Sequence, residues 1–220
     1  FTSKCEYMEN GEGNKISRYE ISEKLRLEFD DFKKLEEYSN KIGIEFLSTP
    51  DGEKSLEFLL QNKLINAIKV GSTEIVNIPF LRKVANASLP VYLSTGTADL
   101  IEVINAVEVF AENLKNLTLM QCTSSYPCED NELNLKVLTQ YRKLFNLNIG
   151  FSDHSLGSTA SIAAVAMGAS IIEKHIYIDS NIWTPDKGAS MHANEFKKMC
   201  KEIRRLEIML GKEFKRRTKS

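Results

Sequence analysis

Two of the three histidines, His154 and His175, lie at the ends of short apolar runs that are typical of buried strands. Two neighbouring imidazoles with open positions between them suit Mn2+, Fe2+ or Zn2+. A lone histidine more often hydrogen-bonds locally, and we assign that role to His192, in the loop before the last helix. The matching positions of His154 and His175 favour a metal site.

Lys69 lies inside the apolar run Ile68-Lys69-Val70-Gly71. A buried ammonium needs an anionic partner, because burying an unpaired charge is unfavourable. Three interpretations remain open: Lys69 binds a phosphate or carboxylate, it acts as a Schiff-base nucleophile, or it lies on the outer wall and reaches solvent between helices.

Three hydroxyls, those of Ser72, Ser94 and Ser152, lie at the ends of three different predicted strands. Together with Lys69 they predict a cradle for a phosphate group, since hydroxyls and an ammonium satisfy its acceptor oxygens. Each serine alone is more typical of a strand end or turn. No Walker-type or G-x-G-x-x-G pattern occurs, which disfavours a nucleotide cofactor.

Two carboxylates, Glu74 and Asp186, are predicted just past strand ends. Each could contact substrate hydroxyls or move a proton, or could carry a charge at a helix start or loop surface. Asp153 lies between Ser152 and His154, so strand alternation predicts that it points away from both and supports them from behind.

The elements that must position these residues alternate between strand and helix. Strands are predicted at residues 44–48, 67–71, 91–94, 117–121, 148–152 and 170–175. Helices are predicted at residues 29–41, 53–61, 75–85, 99–114, 133–145, 159–167 and 193–210. No element is predicted before about residue 16. This βα repeat implies a parallel sheet with right-handed crossovers.

Polar or small residues end all six predicted strands, which favours a (β/α)8 barrel with its chemistry on one rim over an open doubly wound sheet. Six strands cannot close an eight-strand barrel. We therefore expect residues 1–220 to form a single, incomplete (β/α)8 barrel of about six βα units, ordered sequentially and open between the strand at Ile44 and the strand ending at His175. The two missing units are expected before Phe1.

The composition is that of an ordinary globular protein, with 42% hydrophobic and 27% charged residues and a formal net charge of -1. A net charge this small gives no strong electrostatic attraction to nucleic acid or to an anionic membrane. No apolar run is long enough to predict a membrane span. The four cysteines show no C-x-x-C spacing, which predicts reduced thiols and a cytoplasmic protein.

Seven motifs, in order, resemble the sialic acid synthase family: IEFLSTP (44–50), IKVGS (68–72), LSTG (93–96), QCTSSYP (121–127), SDHSLG (152–157), IEKH (172–175) and PDKGAS (185–190). The resemblance implies a (β/α)8 barrel that condenses phosphoenolpyruvate with N-acetylmannosamine or a related 2,4-diacylamino sugar, giving a nine-carbon sialic acid and phosphate. It also implies a divalent metal ion, for which Mn2+ is the first candidate and Mg2+ and Co2+ are the alternatives.

By the same resemblance, residues of this chain take the family's roles. His154 and His175 match metal ligands, and four residues match those that hold phosphoenolpyruvate: Lys69, Ser72, Ser94 and Ser152. The family's residues near the amino sugar correspond to four positions of this chain: Glu74, Ser124, Tyr126 and Asp186. Pro185-Asp186 is more similar to the neuraminic and legionaminic branch than to the pseudaminic one.

Relatives also carry an N-terminal part with a catalytic Glu and a phosphoenolpyruvate-binding Lys, and a C-terminal antifreeze-like domain whose Arg completes the partner's site in a homodimer. We expect neither part in these 220 residues. Two alternatives remain: a Schiff-base aldolase that uses Lys69, and a non-catalytic, truncated module that binds a sugar phosphate.

Overall fold

Five parallel strands form the central sheet of the computed structural model, which describes residues 7–9, 15–215 and 217. Their order in the sheet is their order in the chain: β3 (Ile68–Val70), β4 (Val91–Ser94), β5 (Leu117–Gln121), β6 (Asn148–Asp153) and β7 (Ile171–Lys174). Every ladder is parallel, from Ile68↔Val91 to Asp153↔Lys174. The sheet curls, which confirms the α/β class and the incomplete barrel with sequential strands.

The number of strands is smaller than predicted. Residues 44–48 form no strand, although Phe46 packs against the core. The apolar run predicts an extended segment, but a strand also requires a ladder of backbone hydrogen bonds, and β3 pairs only with β4 within the described residues. The segment ends near β3, because Thr49 Cγ2 would lie 3.8 Å from a Cβ added at Gly71. The barrel here therefore has five strands, and the prediction of six was wrong.

The described residues contain eight α-helices. They are α1 (Arg18–Leu25), α2 (Phe29–Ile42), α3 (Glu53–Gln61), α4 (Ile78–Asn86), α5 (Leu100–Val109), α6 (Lys136–Phe145), α7 (Thr159–Ala166) and α8 (Ala193–Leu210). The prediction for α3 and α8 matches the structure, whereas α1 was not predicted. No helix in the described residues has the length and apolar character to cross a membrane.

The helix predicted at residues 99–114 is shorter than expected. Asp99 caps α5 and forms a capping box with Glu102, but the α-helix ends at Val109. A 3-10 segment, Ala111–Asn116, follows, in which Asn113 has a non-helical φ of -131°. The apolar periodicity predicted the helix and its first residue correctly, but it placed the last residue too late. Asparagine has a weak helix propensity, which favours an earlier end.

The core lies between the sheet and its helices. Phe80 of α4, Phe110 after α5 and Phe151 of β6 are among the largest fully buried side chains. Burying each of them stabilises the fold by about 1.5–3 kcal/mol. This apolar layer holds the outer face of the sheet against the helices. Polar residues occupy the inner face near the carboxyl ends of the strands.

Within the described residues, two small sheets lie outside the barrel. One is an antiparallel pair that was not predicted, β1 (Tyr7–Glu9) with β2 (Lys15–Ser17). The other is a parallel pair beyond the rim, β8 (Ile176–Tyr177) with β9 (Met191–His192). Their two- and three-residue strands are too short for a period-2 pattern to identify. Residues 1–6, where no element was predicted, lie outside the described residues.

Candidate active site at the carboxyl ends of the strands

Lys69 points into the interior of the curled sheet. Its side chain is almost fully buried, and Nζ donates to Ser94 Oγ at 2.8 Å and to the Val70 carbonyl at 3.2 Å. Nζ also lies 3.4 Å from Glu173 Oε2. Lys69 is on β3 and Glu173 is on β7, the first and last strands of the five. Their contact is possible only because the sheet curls, and the outer-wall interpretation of Lys69 was wrong.

Glu173 is a candidate site residue that the sequence analysis did not select. It lies two residues before His175, so strand alternation places both side chains on the inner face. Its Oε2 is buried and has no hydrogen-bond partner within the described residues, although the Lys69 ammonium is near. A carboxylate oxygen in that setting needs a positive partner, which Lys69 provides. The two-residue spacing between Glu173 and His175 is the sequence feature that could have identified Glu173 as a site residue.

A second polar group surrounds the backbone of Gly96. Gly96 N–H donates to Ser72 Oγ at 2.9 Å, and Ser72 Oγ lies 3.2 Å from the buried Cys122 thiol. A Cβ added at Gly96 would lie 2.6 Å from Ser124 Oγ, 2.7 Å from Cys122 Sγ and 3.0 Å from Ser72 Oγ. The missing side chain of Gly96 therefore allows the two predicted serines to approach each other.

We expect Gly96→Ala in the full-length protein to weaken binding of a phosphate-bearing substrate about 10-fold and to destabilise the fold by about 1–3 kcal/mol, because the new methyl displaces Ser72 and Ser124. The KM for that substrate and thermal unfolding measure the two effects. Gly71→Ala is the matched control, since its Cβ meets nothing closer than 3.8 Å. Equal KM values for both variants would contradict the role of this cluster.

His154 and His175 come together at the ends of β6 and β7, with ring centroids 5.5 Å apart and planes at 63°. His154 is buried; its Nδ1 lies 2.7 Å from the Thr123 carbonyl and its Nε2 lies 3.4 Å from Ser152 Oγ. Burial lowers the pKa of His154 below its ordinary value, although the bond to Thr123 opposes this shift. The ring is therefore neutral near pH 7, with hydrogen on Nδ1 and the lone pair on Nε2.

This pair fits a shared metal ion in part. Imidazoles that ligate one ion at about 2.1 Å have ring centroids roughly 5 Å apart, close to the observed separation. The Nδ1 bond to a carbonyl is also the usual way to orient a ligating histidine. Within the described part of the chain, however, no group of three or more His, Cys, Asp and Glu side chains is arranged to hold a metal. A two-histidine site leaves its other positions to water or substrate oxygens.

Tyr126 and Asp186 lie beside the histidines. The Tyr126 ring packs on His154 with centroids 4.1 Å apart and meets the edge of His175 at 5.6 Å. Burial, followed by the nearby charges of Cys122, Asp186 and Glu173, raises the pKa of Tyr126 to about 12, so the phenol stays protonated and can donate. Asp186 Oδ2 lies 3.9 Å from His175 Nδ1.

Glu74, by contrast, is not joined to this group. Its carboxylate accepts from Asn77 Nδ2 at 2.7 Å. Burial, and then the charge of Glu74, raises the pKa of Asp51. No hydrogen bond or ion pair connects Glu74 with Lys69 or either histidine among the described residues, so its catalytic role stays a prediction. The other predicted residues form three groups: Lys69 with Ser94, Ser72 with Ser124, and Ser152 with the two histidines, Tyr126 and Asp186.

Two cavities in the described part of the chain contain none of these converging side chains. One, of about 660 Å³, is at the opposite end of the sheet and includes Arg142 and Asn148. The other, of about 610 Å³, lies between α2 and α3 and includes Phe29 and Phe58. Neither contains a histidine or the predicted cradle, so the convergence of side chains, not the size of a cavity, identifies the candidate site.

Comparison with known proteins gives consistent results. A family model described as the NeuB family matches residues 1–215. The chain is 38% identical over 221 residues to N,N'-diacetyllegionaminic acid synthase of Campylobacter jejuni, covering 99% of this chain and 66% of that protein. It is also 38% identical over 213 residues to the synthase of the same name from Legionella pneumophila, covering 94% and 60%.

The fold comparison agrees. A crystal structure of N-acetylneuraminic acid (sialic acid) synthetase from Leptospira borgpetersenii, in complex with citrate, matches with a TM-score of 0.85 and 31% identity. The match covers 91% of this chain and 70% of that one. The chain spans 60% to 66% of the length of the two curated relatives.

Proposed function

Because the chain belongs to the NeuB family, we propose that its full-length protein condenses phosphoenolpyruvate with N-acetylmannosamine or a related 2,4-diacylamino sugar. The products are a nine-carbon sialic acid and phosphate. The names of the relatives support this reaction class. The observation that carries the proposal is that the inner side of one curled sheet holds two groups of polar side chains. Lys69 contacts Ser94 and Glu173 in one group, and the two histidines meet in the other.

We propose that phosphoenolpyruvate binds at Lys69 and the three serines. An ammonium has three N–H donors, and Ser94 and the Val70 carbonyl accept two of them. The remaining donor is available to an anionic substrate or to Glu173. Glu173 holds the ammonium in the interior and prevents it from turning outward. Ser72, Ser94 and Ser152 then supply neutral donors to the phosphate or carboxylate oxygens.

We also propose a divalent metal, Mn2+ first and Mg2+ or Co2+ as alternatives, held by His154 and His175. When bound, such an ion acts as a Lewis acid that polarises the carbonyl of the open-chain sugar. The neutral His154 ring, with its lone pair on Nε2, supports this assignment. Tyr126 donates from its protonated phenol to the sugar, and Asp186, Ser124 and Glu74 orient sugar hydroxyls or the N-acyl group.

In the reaction, Lys69 and the serines hold phosphoenolpyruvate so that its C3 faces the sugar carbonyl carbon, which is chiefly a positioning contribution. A carbon–carbon bond forms between them, and C2 becomes an oxocarbenium carbon. Water adds to C2, and phosphate leaves the tetrahedral intermediate by cleavage of the C2–O bond. The proton of that water passes to the sugar carbonyl oxygen, which becomes a hydroxyl. As phosphate leaves, it takes the proton of the new C2 hydroxyl, and C2 becomes a ketone. By the family resemblance we further propose a cytoplasmic homodimer.

A substrate panel tests the reaction and the sugar. We expect the full-length protein with Mn2+ and phosphoenolpyruvate to convert N-acetylmannosamine or the legionaminic-branch diacetamido sugar, and to convert the pseudaminic-branch sugar more slowly. Product mass and phosphate release are measured, with pyruvate in place of phosphoenolpyruvate as the control. Preference for the pseudaminic-branch sugar would contradict the branch assignment. No product with any of the three sugars would contradict the function.

A further inference from the structure

A buried ion pair lies directly behind the two histidines. The side chains of Asp153 on β6 and Lys174 on β7 are both 0% exposed, and Lys174 Nζ lies 3.1 Å from Asp153 Oδ1. The two residues are paired in the parallel ladder between these strands. Because successive residues of a strand point to opposite faces, the pair faces the helices while His154 and His175, each one residue later, face the interior.

Further hydrogen bonds connect the pair to two other segments. Asp153 Oδ1 accepts from Ser155 N–H at 2.9 Å and from Ser155 Oγ at 2.6 Å, and Oδ2 accepts from Ser161 Oγ of α7. Lys174 Nζ donates to the Ser155 carbonyl. The ion pair therefore joins the ends of two strands, the loop that follows β6, and a covering helix.

Stability alone does not account for such a pair. Removing each ion from water opposes folding by several kcal/mol, and apolar replacements of buried ion pairs are often neutral or stabilising. In some proteins, buried polar or ionic groups instead fix one arrangement of the elements that carry them. Here the geometry concerned is the separation of the two strand ends that carry the histidines.

We propose that the Asp153–Lys174 pair positions His154 and His175 for one shared metal ion; this inference rests on the metal site of the proposed function. The histidines differ in their other support. His154 is also held by the Thr123 carbonyl at 2.7 Å, whereas His175 Nδ1 lies 3.9 Å from Asp186 Oδ2, beyond hydrogen-bond distance. The position of His175 therefore depends more on its own strand, and so on Lys174.

The test is the double variant Asp153→Asn with Lys174→Met in the full-length protein, which removes both buried charges at similar volume. Binding of Mn2+ is measured without substrate, from the electron paramagnetic resonance signal of free Mn2+, beside thermal unfolding. We expect the Kd for Mn2+ to rise at least about 10-fold while the protein stays folded. Glu53→Gln with Lys83→Met removes an exposed ion pair in the same way, and no change in Kd is expected.

A folded double variant with the parent Kd for Mn2+ would overturn the positioning role and leave the metal proposal intact. A parent protein that binds no Mn2+ would overturn both. If the double variant does not fold, Ser161→Ala keeps both charges and removes only the bond from α7. We expect that variant to raise the Kd about threefold, and an unchanged Kd would overturn the inference.

Discussion

Replacing His154 with alanine in the full-length protein is expected to lower the rate of Mn2+-dependent condensation about 10³-fold. The substitution removes one of two proposed ligands, and Lewis-acid polarisation of a carbonyl contributes several kcal/mol to the transition state. The fold should persist, because the ring lies on the inner face and its loss leaves the layer between sheet and helices intact. Steady-state rates at saturating Mn2+, with thermal unfolding beside them, measure both effects.

His192→Ala is the matched control. His192 lies outside the barrel on β9, where its ring meets Tyr177 with centroids 5.3 Å apart and its Nδ1 accepts from Asn194 N–H at the start of α8. We expect this variant to lose about 1 kcal/mol of stability, as for other helix caps, and to keep the parent rate. A His154→Ala protein that turns over as fast as the His192→Ala protein would contradict the metal site.

The second large effect is expected for Lys69→Met. This variant keeps the length of the buried side chain but removes the ammonium that Ser94 and Glu173 hold. Charge-assisted hydrogen bonds contribute about 1.5–3 kcal/mol, so we expect the KM for phosphoenolpyruvate to rise about 10- to 100-fold, with a smaller fall in kcat. Initial rates over a range of phosphoenolpyruvate concentrations separate the two constants.

The same variant distinguishes the Schiff-base aldolase. A nucleophilic lysine is indispensable, so its removal would abolish kcat at every substrate concentration, and borohydride would trap pyruvate on Lys69 of the parent protein. Lys83→Met, which removes an exposed lysine paired with Glu53, is the control and should leave both constants unchanged. Borohydride trapping on Lys69 would reject the positioning role in favour of the aldolase.

The sequence predicted those elements whose formation depends mainly on their own residues. β4 and β5 match their predicted bounds because each is a short, mostly apolar run that ends at a polar residue. Residues 44–48 have the same local pattern but form no strand, since a strand is defined by its partner and not by its own residues. The same limit applies to the two small sheets outside the barrel.

The candidate site was predictable to the extent that it follows from position on a strand. His154 and His175 end adjacent strands, and parallel pairing brings them together as expected. The contact of Lys69 with Glu173 depends on the curl of five strands, which no local pattern encodes. Glu74 lies in the 3-10 turn Ser72–Glu74 after β3, where the strand period no longer tells which way a side chain points.

The most direct test of the metal-dependent condensation measures phosphate and sialic acid together in one reaction of the full-length protein. The protein is stripped with a chelator, assayed with phosphoenolpyruvate and its preferred amino sugar, and assayed again after Mn2+ is added. We predict no product in the chelator, and one phosphate released for each nine-carbon acid once Mn2+ is restored. Full turnover in the presence of the chelator, or acid formed without release of phosphate, would contradict the proposed reaction.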